Sequence, residues 1–150
     1  MNKVLEVLKK VAWWFVMGGI LFAAGAMLFT YVVDADSDNP GKIMFGFGVV
    51  LAIMAGFMLA NAGLCLAMLK NVTPGTWQQR AANVLLVGEL LVPVVMIALF
   101  FILPAGSYAS NFVGMTGFLF PPGMIVPNII IGLVFSGMQN KNSNLRPIKR

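Results

Sequence analysis

Glu89 is the residue whose type and position most favour chemistry in this chain. It is the only acid in the apolar stretch 83–101, whereas the four other acids lie in an N-terminal segment and in one loop. A carboxylate at membrane depth is costly unless it faces a polar partner, a water-filled cavity or an ion pathway. Two interpretations follow: Glu89 is an ion or proton site, or it is bonded to a neighbouring helix, to Lys9 or Lys10, or to a partner's arginine.

Pro93 strengthens the interest in this position. It follows Glu89 at i+4, so the Glu89 carbonyl has no helical N–H partner. We expect a local kink there, with a carboxylate and a free carbonyl forming a small oxygen-rich patch. Thr76 is predicted as the N-cap of a helix through Gln78 and Arg80. Counted from the start of the apolar span near residue 83, Glu89 lies roughly 9 Å inside the cytoplasmic end of that span.

A second unusual stretch is 117–128, which contains Pro121, Pro122, Pro127 and Asn128. A helix arriving from Phe120 is not expected to run undisturbed through two consecutive prolines. One interpretation is a discontinuous helix that frames an ion or proton site with Asn128 and unpaired carbonyls. The other places 112–120 in the outer interface, with a spanning helix that starts at Pro122 and is kinked by Pro127.

Three aspartates at alternate positions resemble the opening of a calcium-binding loop. They are Asp34, Asp36 and Asp38. An EF-hand requires Gly at the sixth position and Glu at the twelfth, where this chain has Asn39 and Phe45. The pattern therefore predicts a solvated acidic turn and no metal site.

Cysteine and histidine usage excludes several kinds of chemistry. The chain has one cysteine, Cys65, and no histidine. A disulfide within the chain, the common zinc sets and the Ser-His-Asp arrangement are thereby excluded. We expect no catalytic residues, no cofactor and no enzymatic activity. Asn61 lies four residues before Cys65, on the same helix face, and favours an interhelical hydrogen bond.

The composition indicates a membrane protein. Of the 150 residues 59% are hydrophobic and only 10% are charged, against about 25% charged in soluble domains. The net charge of +5 is spread over loops and termini, which argues against nucleic acid as a partner. Four apolar segments approach the ~20 residues that a bilayer requires. They cover residues 11–33, 43–69, 83–103 and 113–138.

The distribution of basic residues predicts the orientation. Nine of the ten Lys and Arg residues lie before the first segment, in 70–82 or in the tail 139–150, and Lys42 is the exception. By the positive-inside rule, both termini are cytoplasmic. The sequence thus predicts a single all-α membrane domain over 1–150, a four-helix bundle with a Pro-broken fourth span. We expect it to lie in a bacterial cytoplasmic membrane. The basic tail is expected to touch anionic lipid.

Small residues recur at four-residue spacing in the first two segments and predict close helix packing. Such stripes either pack the two helices of one chain together or dock another chain. The residues are Gly19, Ala23, Ala52, Gly56, Ala60 and Gly63.

Two functions of different class are compatible with these features. The first is a non-enzymatic subunit or assembly factor of a larger membrane complex, which docks through the Gly/Ala stripes on other chains or on itself. The second is a small oligomeric transporter or channel, in which Glu89 and the Pro-broken fourth span form a polar route for an ion or solute.

Overall fold

The computed structural model describes residues 2–32 and 40–144, and every regular element within these ranges is a helix. The acidic aspartate loop and residues 145–150 lie outside them. The six helices are α1 (Asn2–Lys10), α2 (Ala12–Val32), α3 (Pro40–Asn71), α4 (Trp77–Ile102), α5 (Tyr108–Gly123) and α6 (Ile125–Asn144).

Three to four of these helices are long and apolar enough to cross a membrane. The segments that qualify alone are Ala12–Thr30, Phe45–Asn71 and Trp77–Ile102. A fourth qualifies if Tyr108–Gly123 and Ile125–Met138, which meet at a bend of 41°, are taken together. The prediction of an all-helical membrane protein is therefore confirmed at this level, and the prediction that the fourth apolar segment is interrupted agrees with the bend.

Helices α2 and α3 pack together through backbone contacts at glycine. A Cβ added to Gly19 would meet the Gly56 carbonyl and would lie 2.6 Å from the Ala60 nitrogen. A Cβ on Gly56 would lie 2.7 Å from the Gly19 carbonyl and 2.9 Å from the Ala23 side chain. Because any larger residue would force the helices apart, these small residues serve packing within the chain.

Helix α3 is the central element of the bundle. It packs on α2 along one side and on α4, α5 and α6 along the other. At the end of α3 where Asn71 leads towards α4, a buried apolar cluster joins three helices. Its members are Cys65, Met68, Leu69, Val72, Ala82 and Phe135.

Helix α4 begins earlier than the hydropathy pattern predicted. Thr76 is its N-cap and accepts a hydrogen bond from the Gln79 backbone N–H, so the helix starts at Trp77 and not near residue 83. Gln79 returns the contact by accepting from the Gly75 N–H at 2.7 Å. These two bonds satisfy the Gln79 N–H in the first turn of α4 and the Gly75 N–H just before the helix. The N-cap expected at Thr76 is therefore present, whereas the apolar span counted from residue 83 leaves out the polar first turn of the helix.

The fourth segment consists of two helices, of which α5 packs along α4 and α6 packs mainly on α3. A Cβ on Gly114 of α5 would lie 2.9 Å from the Phe100 ring, and one on Gly117 would lie 3.1 Å from Met96. Further along, the Phe135 ring of α6 meets Trp77 edge-on, with ring centroids 5.4 Å apart. Helices α5 and α6 together therefore follow α4 in the antiparallel direction from near its end to its start.

The break between α5 and α6 lies at Met124, later than predicted. Pro121 and Pro122 sit in the last turn of α5, so the expectation that a helix starts at Pro122 is wrong. Proline has a helix-compatible φ, and the Met124 N–H still bonds to the Phe120 carbonyl at 3.0 Å. Pro127 does not kink a helix interior either, because it is the third residue of α6. A backbone N–H at that position would have no acceptor within the helix, so its absence in proline costs no hydrogen bond.

Two further boundaries differ from the sequence-based expectation. Helix α5 begins at Tyr108, before the piece 112–120 that the sequence suggested, and contains that piece as continuous helix. Helix α6 runs past Met138 to Asn144, so the first half of the predicted basic tail 139–150 is helical.

Candidate functional site

Glu89 lies in the middle of α4 and is buried. It is twelve residues after Trp77, about 18 Å along the helix at 1.5 Å per residue. Only 1% of its surface is exposed. The expected 9 Å was counted from the start of the apolar span at residue 83, six residues after the first residue of α4.

Asn128 and Asn61 meet Glu89 from two other helices. Asn128 is the fourth residue of α6, and Asn61 lies in the middle of α3; both are fully buried. The Asn128 amide nitrogen, Nδ2, donates to Glu89 Oε1 at 2.9 Å and to Asn61 Oδ1 at 3.1 Å. The structure thus brings together Glu89 and Asn128, the two residues predicted as an ion or proton site, and adds Asn61 on the other side of Asn128. These three side chains are called the polar cluster below.

The break in the fourth segment contributes a backbone oxygen to the polar cluster. Asn61 Nδ2 donates to the Pro121 carbonyl at 2.6 Å, and Pro121 itself is buried. Carbonyls in the last turn of a helix run out of helical donors, so they need partners of another kind. The interhelical hydrogen bond expected of Asn61 is therefore present, and its partner is the end of α5.

Pro93 lies beside the polar cluster within α4. It is buried, and α4 continues through it, so the expected kink does not interrupt the helix. Because proline has no N–H, the Glu89 carbonyl lacks the donor that position 93 would otherwise supply. The side chain and the backbone of Glu89 thus both present oxygen atoms in the middle of α4.

A basic side chain does not pair with Glu89 anywhere in the described part of the chain. Lys9, one of the cations considered from the sequence, pairs with Glu6 at 3.3 Å. The neutral polar partner of Glu89 is Asn128 on α6, as the hydrogen-bonded interpretation expected. Cys65, one helical turn after Asn61 on α3, is also buried.

The polar cluster has more acceptors than donors. Within the residues that the structure describes, Glu89 Oε2 and Asn128 Oδ1 are buried without a hydrogen-bond partner. Leaving a buried polar atom unsatisfied costs about 1–3 kcal/mol, and more for a charged group. The arrangement is therefore suited to taking up a positively charged species or a proton.

Sequence reasoning located two members of this site and missed how the site is completed. Asn61 was recognised as a polar residue with a structural role, but its link to Asn128 was not foreseen. The Pro121 carbonyl was not foreseen either, because backbone acceptors carry no sequence signal beyond the proline that lies near them. The small-residue set is separate from this site: Gly19, Ala23, Gly56 and Ala60 lie between α2 and α3.

Comparison with known proteins gives no independent assignment. The chain matches no protein-family model, and neither the comparison with curated proteins nor the one with solved structures finds a match.

Proposed function

We propose that this protein is a small, non-enzymatic membrane transporter or channel that uses the polar cluster as its ion or proton site. The observation that supports this most strongly is Glu89 itself. Its carboxyl group is buried midway along an apolar helix, without a basic partner among the described residues and with one oxygen unsatisfied. Intramembrane carboxylates of this kind mark ion paths and proton relays.

The proposal includes four spans with both termini in the cytoplasm. The contacts that carry α5 and α6 along the length of α4 support counting these two helices as one broken span. The excess of Lys and Arg before α2, between α3 and α4, and after α6 supports the orientation. The bacterial inner membrane and contact between the basic tail and anionic lipid remain predictions from the sequence.

Transport requires the buried site to open, and the break in the fourth span provides a joint. Met124 separates α5 from α6 and lies four residues before Asn128. A discontinuous helix at membrane depth is a common frame for a transported ion, because a short shift of one half exposes the site. Movement of α6 about Met124 would withdraw Asn128 from Glu89 and open the polar cluster.

The direct test is flux in vesicles. The purified protein is reconstituted into liposomes that contain a pH-sensitive or ion-sensitive dye, and gradients of H⁺, Na⁺ and K⁺ are imposed in turn. We expect at least one gradient to dissipate faster than in protein-free vesicles. Dissipation at the protein-free rate for all three ions would contradict the proposal.

A second candidate is a subunit or assembly factor of a larger membrane complex. Most of the small residues predicted to dock another chain are used in packing between α2 and α3, so docking would use another surface. Ala52 is the exception, because it lines an open groove. An open apolar groove of about 580 Å³ runs between the same two helices and supports this candidate. Gly25 and Gly48 line the groove, and a Cβ on either would meet nothing within 4 Å. Both glycines thus leave room for a close helix approach.

Purification in a gentle detergent separates the two candidates. Stoichiometric foreign chains that are lost from a Gly25→Leu variant, while that variant still inserts, would favour the subunit. A homo-oligomer without foreign chains would favour the transporter or channel.

A further inference from the structure

The direction of every hydrogen bond in the polar cluster is fixed by the Pro121 carbonyl. This oxygen only accepts, so Asn61 must turn its Nδ2 towards it, at 2.6 Å. The Asn61 Oδ1 atom is then left to accept, and Asn128 must supply the donor, at 3.1 Å. Turning either amide over would place two acceptors against each other. The orientation of Asn128 is therefore determined by an atom two hydrogen bonds away.

Asn128 has no donor left once these bonds are made. A primary amide has two N–H groups, and those of Asn128 go to Asn61 Oδ1 and to Glu89 Oε1. The atoms that remain are Asn128 Oδ1 and Glu89 Oε2, the two buried atoms without a partner in the described ranges. Asn128 Oδ1 belongs to an amide group and Glu89 Oε2 to a carboxyl group, and these two groups already share the hydrogen bond from Nδ2 to Oε1. A primary amide and a protonated carboxyl group can form two hydrogen bonds with each other, and these two atoms are the ones that the second bond would use.

We infer that this site binds one proton. It is held on Glu89 Oε2, and the resulting O–H donates a hydrogen bond to Asn128 Oδ1. The inference rests on the proposed function and names the species bound. A protonated carboxyl group is one donor and one acceptor, and a primary amide offers the complementary pair. One proton therefore satisfies both remaining atoms at once, and neutralises the charge that a buried carboxylate would carry.

The alternative of a divalent cation fits the site less well. Calcium takes six to eight oxygen ligands and magnesium requires six in octahedral geometry. The polar cluster has two uncommitted side-chain oxygens. In the described residues there is also no group of three or more Cys, Asp and Glu side chains that would hold a metal ion.

The surroundings of Glu89 contain one other titratable group. On the helices packed against α4, the described titratable side chains are Cys65 and Lys70 of α3 and Tyr108 of α5. Lys70 and Tyr108 lie at the ends of their helices, whereas Cys65 lies one turn from Asn61. A thiol supplies no positive charge, so it does not replace the proton.

The test is infrared spectroscopy of a chain with a single glutamate. Glu6 and Glu89 are the only glutamates, so Glu6→Gln leaves Glu89 alone. Cell-free synthesis with carboxyl-¹³C glutamate shifts only the bands of that group. At neutral pH in lipid nanodiscs we expect the labelled group to show the carbonyl stretch of a carboxylic acid. A carboxylate stretch at neutral pH would overturn the inference.

Two variants test whether the hydrogen bond to Asn128 keeps Glu89 protonated. Asn128→Leu removes the acceptor, so the acid band should shift to the position of a non-bonded carboxylic acid or give way to a carboxylate band. An unchanged band would contradict the pairing. Glu89→Gln places an N–H group where the proton is held, so the melting temperature of this variant should be close to that of the wild type. A large rise in its melting temperature would show that the native group is a carboxylate, and would also overturn the inference.

These outcomes are distinct from those of the flux test. An acid band in a protein that conducts no ion would uphold the proton site and contradict the transport proposal. A carboxylate band in a protein that does conduct would contradict the proton site and leave the transport proposal in place.

Discussion

Asn128 Nδ2 donates to Glu89 Oε1 at 2.9 Å and joins two side chains that are 39 residues apart in the chain. The same nitrogen contacts Asn61 Oδ1, so one amide group connects α3, α4 and α6. This contact depends on the turn at Met124, because α6 begins at Ile125 and presents Asn128 from its first turn. The interruption of the fourth segment and the carboxyl group in the third segment are therefore parts of one structure.

Asn61 is predicted to stabilise the bundle through this structure. Asn61→Leu leaves the Pro121 carbonyl and one Asn128 N–H without partners, so the free energy of unfolding should fall by about 1–2 kcal/mol. The measurement is thermal unfolding followed by reaction of a dye with Cys65, which is the only thiol and is buried in the fold. Asn83→Leu is the matched control, since Asn83 is exposed on α4. Equal melting temperatures for the two variants would contradict a structural role for Asn61.

The contact between α2 and α3 predicts opposite behaviour for two adjacent glycines. A Cβ at Gly19 would collide with the backbone of Gly56 and Ala60, whereas one at Gly18 would meet nothing within 4 Å. Gly19→Ala should therefore destabilise the protein by about 1–3 kcal/mol, as overpacking does. Gly18→Ala should leave stability unchanged or slightly raise it, because alanine favours helix more than glycine.

Both variants are measured by the same thiol-exposure melt in detergent and in nanodiscs. A Gly19→Ala protein as stable as the Gly18→Ala protein would show that the two helices do not approach as closely as the structure has them.

The sequence was sufficient to predict the four apolar helical segments and to single out Glu89 and Asn128, but not the helix α1 or the helical start of the tail. Apolar length gives the helices directly, and a lone acid in an apolar segment is conspicuous because it is costly. Their convergence was not predictable, since it depends on how three helices rotate about their axes. A uniformly apolar helix surface carries little periodic signal for that rotation.

The position of the break shows a second limit of sequence reasoning. Two consecutive prolines indicated an interruption, but they do not say on which side of the pair it falls. In the structure both prolines lie in the last turn of α5, where their fixed φ is compatible with a helix. The Pro121 carbonyl accepts a hydrogen bond from Asn61 there. This partner lies in another helix, so the residues around the prolines do not reveal it.

The orientation predicts which loops react from which side of the membrane. In a Cys65→Ala background, Pro74→Cys marks the exposed turn before α4 and Ala105→Cys marks the exposed turn before α5. With a membrane-impermeant maleimide on intact cells, Ala105→Cys should be labelled and Pro74→Cys should be labelled only after lysis. The reverse pattern would invert the orientation. Labelling of both from one side would contradict α4 as a span.

The central claim is that transported ions or protons bind at Glu89 on their way across the membrane. The most direct test compares two substitutions of the same type. Glu6→Gln changes the exposed glutamate of α1, and Glu89→Gln changes the buried one. Both are reconstituted at equal amounts into dye-loaded vesicles, and the rate at which an imposed gradient dissipates is measured. We predict that Glu6→Gln retains the wild-type rate while Glu89→Gln, although folded, falls to the rate of protein-free vesicles. A wild-type rate in Glu89→Gln would contradict the account.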